Sequence, residues 1–477
     1  MLTISIILCY LSGASILLAV SRKYTLAELL GYSFLLGIGL ESVFLFLLDV
    51  VGVQYSQPVL LGFNLTFIAL VNGLNYKGLL ALKSEFKAPS FALRDINLVA
   101  VFILCIAGYL FYAISVKNLF WPPTEHDTLG SFDKLGRIMA LEGKLKISLF
   151  DHHLQGAGGL YPPLYHASFA YVYIFGAIMP KIITTLFFVS MLTTFYSVVA
   201  RYAGSTAAAL FTLLFMITPE LFAHAALSLG NMPTTAYIGA AVLATIVWLD
   251  TREQKYFWLA ALTMAGVTWI RSDTIVFTAA AFLLMGIDFL RHKNLKQTAV
   301  YYAISIAPFV IWMLYMKLKL GSGQTNKFDL GIGYNAERWD LMTGYIKAFL
   351  FGAQKGSIDG GQLYGIVFLL FFAAIFANAA YFVWKMVKSP EFKANWVSSI
   401  FSPGFNAVLF TVTSFVLYFI VFYLIDEEAQ KAPIASLMES SFKRGMFFFI
   451  PTALFYAVAN PLSAALFHRL EKFRLGN

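Results

Sequence analysis

MLTISIILCYLSGASILLAV, residues 1–20, is an apolar run without a charge, and the first charges, Arg22 and Lys23, come only after it. A run of this length is what an α-helix needs to cross a hydrocarbon core ~30 Å thick at ~1.5 Å per residue. A secretory signal would carry its basic residues ahead of the run, so the stretch is read as a retained first span with its N-terminus outside. The same pattern recurs near 2–20, 29–51, 57–73, 97–116, 181–200, 204–218, 232–249, 257–271, 274–290, 298–316, 363–384, 404–425 and 445–466. The expected fold class is therefore all-α, a polytopic transmembrane helical bundle of about thirteen spans in which each backbone group is bonded within its own helix.

Composition agrees with this reading. Hydrophobic residues make up 59% of the 477 and charged residues only 12%, proportions a soluble globular chain does not show. Strand-like alternation of polar and apolar residues, the mark of a membrane β-barrel, is absent. The net charge of +9 comes without a basic run or an aromatic-interleaved basic patch, which argues against nucleic acid. Cys9 and Cys105 both lie inside apolar runs and support neither a disulfide framework nor a metal site.

The excess of basic residues has a topological reading. One side of the bundle receives Arg22 and Lys23, the segment Lys77 to Arg94, Arg201, Arg252 and Lys255, Arg291 to Lys296, Lys385 to Lys393, and Arg469 to Arg474. That side is expected to be the cytoplasm, and the C-terminus lies there. The opposite side receives 117–180, 317–362 and 426–444, together with short connections near Gln54, Ser228 and Arg271. The alternation closes only if 166–179 does not cross, and a short helix lying in the outer interface is expected there.

Residues 117–166, KNLFWPPTEHDTLGSFDKLGRIMALEGKLKISLFDHHLQGAGGLYPPLYH, are the long polar interruption in the first half of the chain. Loops of this length are usually functional. Leu129, Phe132, Leu135, Ile138 and Met139 fall at helical spacing with Asp133, Lys134 and Arg137 on another face, which describes an interfacial amphipathic helix. Asp127 stands at its start, where a carboxylate either caps the helix or serves as a general base beside Glu125 and His126. Asp133 and Arg137 are an i,i+4 pair expected to form a solvated salt bridge, while Lys134 and Arg137 are also placed to meet a lipid phosphate. Asp151, His152, His153 and His166 lack the spacing of a ligand set, so no metal site is assigned and the need for a divalent cation stays open. Tyr161-Pro162-Pro163 imposes a rigid extended entry to the next helix. Farther on, Arg271-Ser272-Asp273 places opposite charges between two apolar runs: either a functional pair or an arginine reaching the outer rim. Glu41, inside the second run, and Asp288, near a cytoplasmic end, are weaker candidates of the same kind.

The order of these motifs carries a resemblance. A large first outer loop with an acidic motif, an amphipathic helix ending in ALEGKL, then YPPLYH, a span ending in Ala200-Arg201, a hairpin around Pro233 and TWIRSD together look like the GT-C membrane glycosyltransferases, in the branch of protein O-mannosyltransferases and lipid A aminoarabinose transferases. The likeness covers roughly 97–316, with 1–96 forming additional N-terminal spans and 317–477 a variable C-terminal region with outer loops and three further spans. It implies transfer of a sugar from a polyprenyl-phosphate donor to a lipid, glycan or protein acceptor on the extracytoplasmic face. The first-loop acid, here Asp127 with Glu125 and His126 beside it, would work as base. Arg271 would hold the donor phosphate, with Lys134 and Arg137 as further choices, and Tyr161 and His166 would belong to the substrate loop. The chain departs from the family pattern where Thr128 follows Asp127 and Thr234 follows Pro233, positions at which many relatives carry a second acid. A transporter or flippase of lipid-linked saccharides, and an O-antigen polymerase or ligase type of enzyme, are the competing readings.

Overall fold

Helices make up the regular structure of the computed structural model, and the strand-like pairing among the described residues is one isolated bridge, Phe328 to Ile425. The structure describes residues 2–76, 98–124, 128–151, 161–320, 328–329, 331–351, 363–390, 393 and 402–471. The chain opens with α1 (Leu2–Val20), α2 (Leu26–Val51), α3 (Gln57–Leu74) and α4 (Leu98–Phe120). Shorter helices α5 (Asp133–Glu142) and α6 (Leu164–Ile174) lie in the first loop. Then come α7 (Ile182–Met216), α8 (Asn231–Thr251), α9 (Gln254–Ile270), α10 (Ile275–His292) and α11 (Leu295–Tyr315). The last third holds α12 (Ala336–Phe351), α13 (Val367–Lys388), α14 (Pro403–Tyr423), α15 (Ile450–Ala459) and α16 (Pro461–Glu471).

Among the described residues, 10 helices are long and apolar enough to cross a membrane, or up to 11 if one bent pair counts as a single span. Four of the thirteen expected runs account for the difference. Runs 181–200 and 204–218 form one 35-residue helix, α7, broken at Gly204, whose φ of 85° suits a residue without Cβ. Run 257–271 is α9, a helix of 17 residues that is mostly buried inside protein. Run 445–466 bends by 64° between α15 and α16. Asn460 is extended there, as the residue before a proline tends to be, and its Oδ1 accepts from the backbone N–H groups of Leu462 and Ser463 at 3.1 Å.

Helix α8 is the centre of the bundle, with every residue from Asn231 to Trp248 buried. Its small residues, Ala236, Gly239, Ala240, Ala241 and Ala244, let backbones approach, which is how helices associate where lipid offers no hydrophobic drive. It packs on α7, α9, α14 and α15. Tyrosine hydroxyls join it to α2: Tyr32 donates to Ala240 O at 3.1 Å and Tyr237 to Leu35 O at 2.6 Å. A closer contact joins α1 to α2. A Cβ on Gly13 would stand 1.8 Å from Ser33 O, and one on Gly37 would stand 1.9 Å from Cys9 O.

Of the basic residues assigned to one side of the membrane, Arg201, Arg252 and Lys255 form ion pairs at one end of the bundle. Glu28 closes a capping box with Thr25 at the start of α2 and also faces Lys255 at 3.4 Å, both being buried. Tyr256 donates to the same carboxylate. Nearby, Arg201 pairs with Glu253 at 2.5 Å and Arg252 donates to Asp288 Oδ2 at 2.8 Å. Asp288 is thus 4% exposed and held by Arg252, Asn294 and His292 rather than merely interfacial.

Helix α6 covers the first part of 166–179. At 11 residues it is too short to cross, and Leu164–Val172 is buried all along by protein. Its sequence is apolar on all sides, and such a helix is covered by protein on every face. Above it lies α5, whose Leu135, Gly136 and Met139 are buried while Arg137 and Leu141 are exposed, the amphipathic arrangement expected.

The α1–α2 contact generates a test. Gly37→Val should cost about 1–3 kcal/mol or more through overpacking against backbone that has no room to yield. Thermal unfolding of the detergent-purified protein should show the loss, whereas Gly62→Ala, where a Cβ meets nothing within 4 Å, should unfold at the wild-type temperature.

Candidate functional site at the end of the bundle away from the basic loops

Helix α9 stops at Ile270 because Arg271 turns into extended backbone, φ −151° and ψ 145°. Thr274 closes the turn that follows, its hydroxyl lying 2.6 Å from both Val267 O and Arg271 O. The break aims the Arg271 side chain inward. Its Nε donates to Asp273 Oδ1 at 2.9 Å and its Nη2 to Oδ2 at 2.5 Å, a two-pronged pairing that matches guanidinium and carboxylate shapes. Nη1 donates to Asn231 Oδ1 at 3.4 Å, and the guanidinium carbon lies 5.1 Å from the centre of the Tyr161 ring. The Arg271 side chain is 15% exposed and that of Asp273 29%, so the pair is more enclosed than a rim arginine would be. Tyr418 of α14 is buried within electrostatic range of Arg271, Asp273, Tyr161 and Arg444.

Two segments that are 110 residues apart in the chain, 161 and 271, therefore meet here. The base of the first loop is tied to the same region. Thr128 donates to Ser228 O at 2.9 Å, three residues before Asn231 in the chain. Asn118 donates to Ala225 O at 2.8 Å and to Thr185 Oγ1 at 2.5 Å, and Lys181 donates to Pro122 O at 3.4 Å. On the far side of the loop, Asp49 at the end of α2 accepts from the backbone N–H of Leu145 at 2.7 Å and of Lys146 at 3.1 Å.

Of the residues singled out in the sequence, Arg271 and Tyr161 come together. Glu125, His126, Asp127, His152 and His153 lie outside the described residues. His166 is 1% exposed beneath α5, and its Nδ1 has no hydrogen-bond partner among the described residues. Burial pushes its imidazole down to about 3, so it stays neutral and enclosed, which removes it from an open substrate loop. Arg137 does not join Arg271: Tyr161 precedes the start of α6, whereas Arg137 stands with Tyr173 and Ile174 at its other end, roughly 16 Å along the helix at ~1.5 Å per residue. Asp133 also departs from expectation. Its Oδ1 accepts from the Tyr173 hydroxyl at 2.6 Å, and no ion pair with Arg137 within 4.0 Å forms among the described residues. Burial raises the Asp133 carboxyl above its ordinary range despite the opposing Tyr173 hydrogen bond and the Arg137 charge.

Asn118, Lys181, Ser228, Asn231 and Tyr418 were not marked by the sequence. Each is a single polar group in or beside an apolar run, and only Asn118 and Lys181, inside or abutting long spans, carry a local signal of partnership. No group of three or more His, Cys, Asp or Glu residues that would hold a metal ion occurs among the described residues. Comparison with protein families, with curated proteins and with solved structures finds no match.

Removing Asp273 should leave the guanidinium uncompensated. Asp273→Ala is expected to cost roughly 2–4 kcal/mol, less than for a fully buried pair because Asp273 is partly exposed. Unfolding in detergent should show that loss, and the double variant Arg271→Met with Asp273→Leu should recover most of it. Asp133 gives a pH test. Its carboxyl titrates higher in the folded state than in the unfolded state, so ionisation opposes folding and stability should rise as pH falls through that range. Asp133→Asn should remove that rise in melting temperature between neutral and acid pH.

Proposed function

We propose that the chain is an integral membrane glycosyltransferase that moves a sugar from a polyprenyl-phosphate donor to an acceptor hydroxyl on the extracytoplasmic face. The observation that carries this reading is the contact of Arg271 with Asp273, Asn231 and Tyr161, where the hairpin and the first loop meet. Three of the five guanidinium N–H groups are engaged there, by Asp273 and Asn231, which leaves others for an anion. Departure of the lipid phosphate builds negative charge, and fixed donors at that point stabilise it. Asp127, one residue before the anchored Thr128 in the chain, is the proposed general base that takes the acceptor proton as the hydroxyl attacks the anomeric carbon. Asp273 is bound to Arg271 and would hold that side chain in place. The resemblance in motif order to the GT-C enzymes supports the same reading, including a donor in the bilayer and the basic loops on the cytoplasmic side.

One observation favours a second reading, a transporter or flippase of lipid-linked saccharides. Glu41 lies fully buried within α2, with the Asn64 side chain as its polar neighbour and no ion pair among the described residues. A carboxylate at such depth is expensive and is by default a functional candidate.

Purified protein supplied with polyprenyl-phosphate sugars and candidate acceptors separates the two. Asp127→Asn should lower transfer by about 10²–10⁴-fold and Arg271→Gln by about 10²–10³-fold. Glu41→Gln should leave transfer near the wild-type rate. Movement of the lipid-linked sugar across vesicles without a new glycosidic bond, lost in Glu41→Gln, would instead establish the transporter.

A further inference from the structure

We infer that the recess beside Arg137 binds the headgroup of an anionic phospholipid of the bilayer, at a place separate from the Arg271 site. The recess has a volume of about 570 Å³ and lies between the start of α3, the outer face of α5 and the end of α6, with Tyr55, Gln57, Arg137, Leu141, Tyr173 and Ile178 among its lining residues.

Its depth follows from α3. Gln57 begins a helix that is apolar enough to span and mostly uncovered by protein, so the residues just before it stand at the boundary between hydrocarbon and headgroups. α5 is amphipathic and packs on α6 at the same level. Apolar groups are left open on the rim: Leu141 is 77% exposed and Ile178 86%. In water such side chains would be scattered and costly, but against acyl chains they are matched.

The charge is the second half of the case. Arg137 is exposed and makes no hydrogen bond and no ion pair within 4.0 Å among the described residues, because the neighbouring Asp133 is turned to the Tyr173 hydroxyl. A guanidinium beside a recess at headgroup depth offers paired N–H donors to a phosphodiester, whose geometry it matches, while the exposed aliphatic side chains accept the glycerol-linked tails. A basic side chain at a membrane surface also gains from the negative potential of anionic lipid. The phosphate of a donor held at Arg271 would lie at the opposite end of α6, so both sites could be filled together.

The test is lipid retention by the full-length protein, extracted in detergent, given phosphatidylglycerol and weighed intact by native mass spectrometry. Wild type should keep one phosphatidylglycerol that Arg137→Gln binds about tenfold more weakly, the effect of losing one charge-assisted contact. Arg137→Lys should fall between them, and Ile178→Asn should also weaken retention. Arg271→Gln should retain the lipid as wild type does, which keeps this result independent of the glycosyltransferase reading. Arg137 is exposed, so its variants should remain monodisperse with unchanged melting temperature. Equal retention by wild type and Arg137→Gln would overturn the inference, as would competition by glycerophosphoglycerol as strong as that by the intact lipid.

Discussion

A charge enclosed in a helical bundle has to be answered, and one end of this bundle is arranged around such a charge. Arg271 is mostly enclosed, and its guanidinium reaches neighbours on three elements: Asp273 beyond the turn, Asn231 at the start of α8 and Tyr161 ahead of α6. That demand explains the break at Ile270, since a helix continuing through 271 would not set the side chain and Asp273 in the same two-pronged contact. It also draws the start of α6 to the cluster. The ring of Tyr161 covers the cation, Pro162 and Pro163 are buried behind it, and α6 runs inward from there.

The rest of the fold gives this cluster a rigid support by satisfying polar groups one at a time. Tyrosine hydroxyls bridge α2 and α8 to backbone oxygens, and Gly13 and Gly37 bring α1 and α2 into backbone contact. At the other end, Lys255 pairs with Glu28 and Arg252 with Asp288. The two ends differ in that the Arg271 guanidinium keeps two of its five N–H groups in reserve.

Much of this was legible in the sequence, and the failures are instructive. Helical spans follow from apolar run length, because in lipid an α-helix bonds its backbone within itself, and eleven of the thirteen runs make up the ten such helices among the described residues. The departures turned on local geometry that hydropathy does not register: Gly204 in one long helix, Pro461 at a bend, and an α9 covered by protein. Arg271, Asp273 and Tyr161 stood out as polar interruptions. Their meeting did not, because it joins positions far apart in the chain through packing. Arg137 was legible as the exposed cation of an amphipathic helix, but spacing along α5 could not tell which end of α6 it would face. His166 looked like a loop residue by its neighbours Tyr161 and Pro162, yet it is the third residue of a helix that folds under α5.

The proposed sugar transfer at this end rests on Arg271 taking the donor phosphate, and a structure determined with a non-transferable polyprenyl-phosphate sugar analogue tests that most directly. The account predicts phosphate density within hydrogen-bond distance, about 3 Å, of the Arg271 guanidinium, with Tyr161 at its edge. Phosphate bound elsewhere while Arg271 remains closed on Asp273 and Asn231, or saccharide lodged beside Glu41 within the bundle, would contradict it.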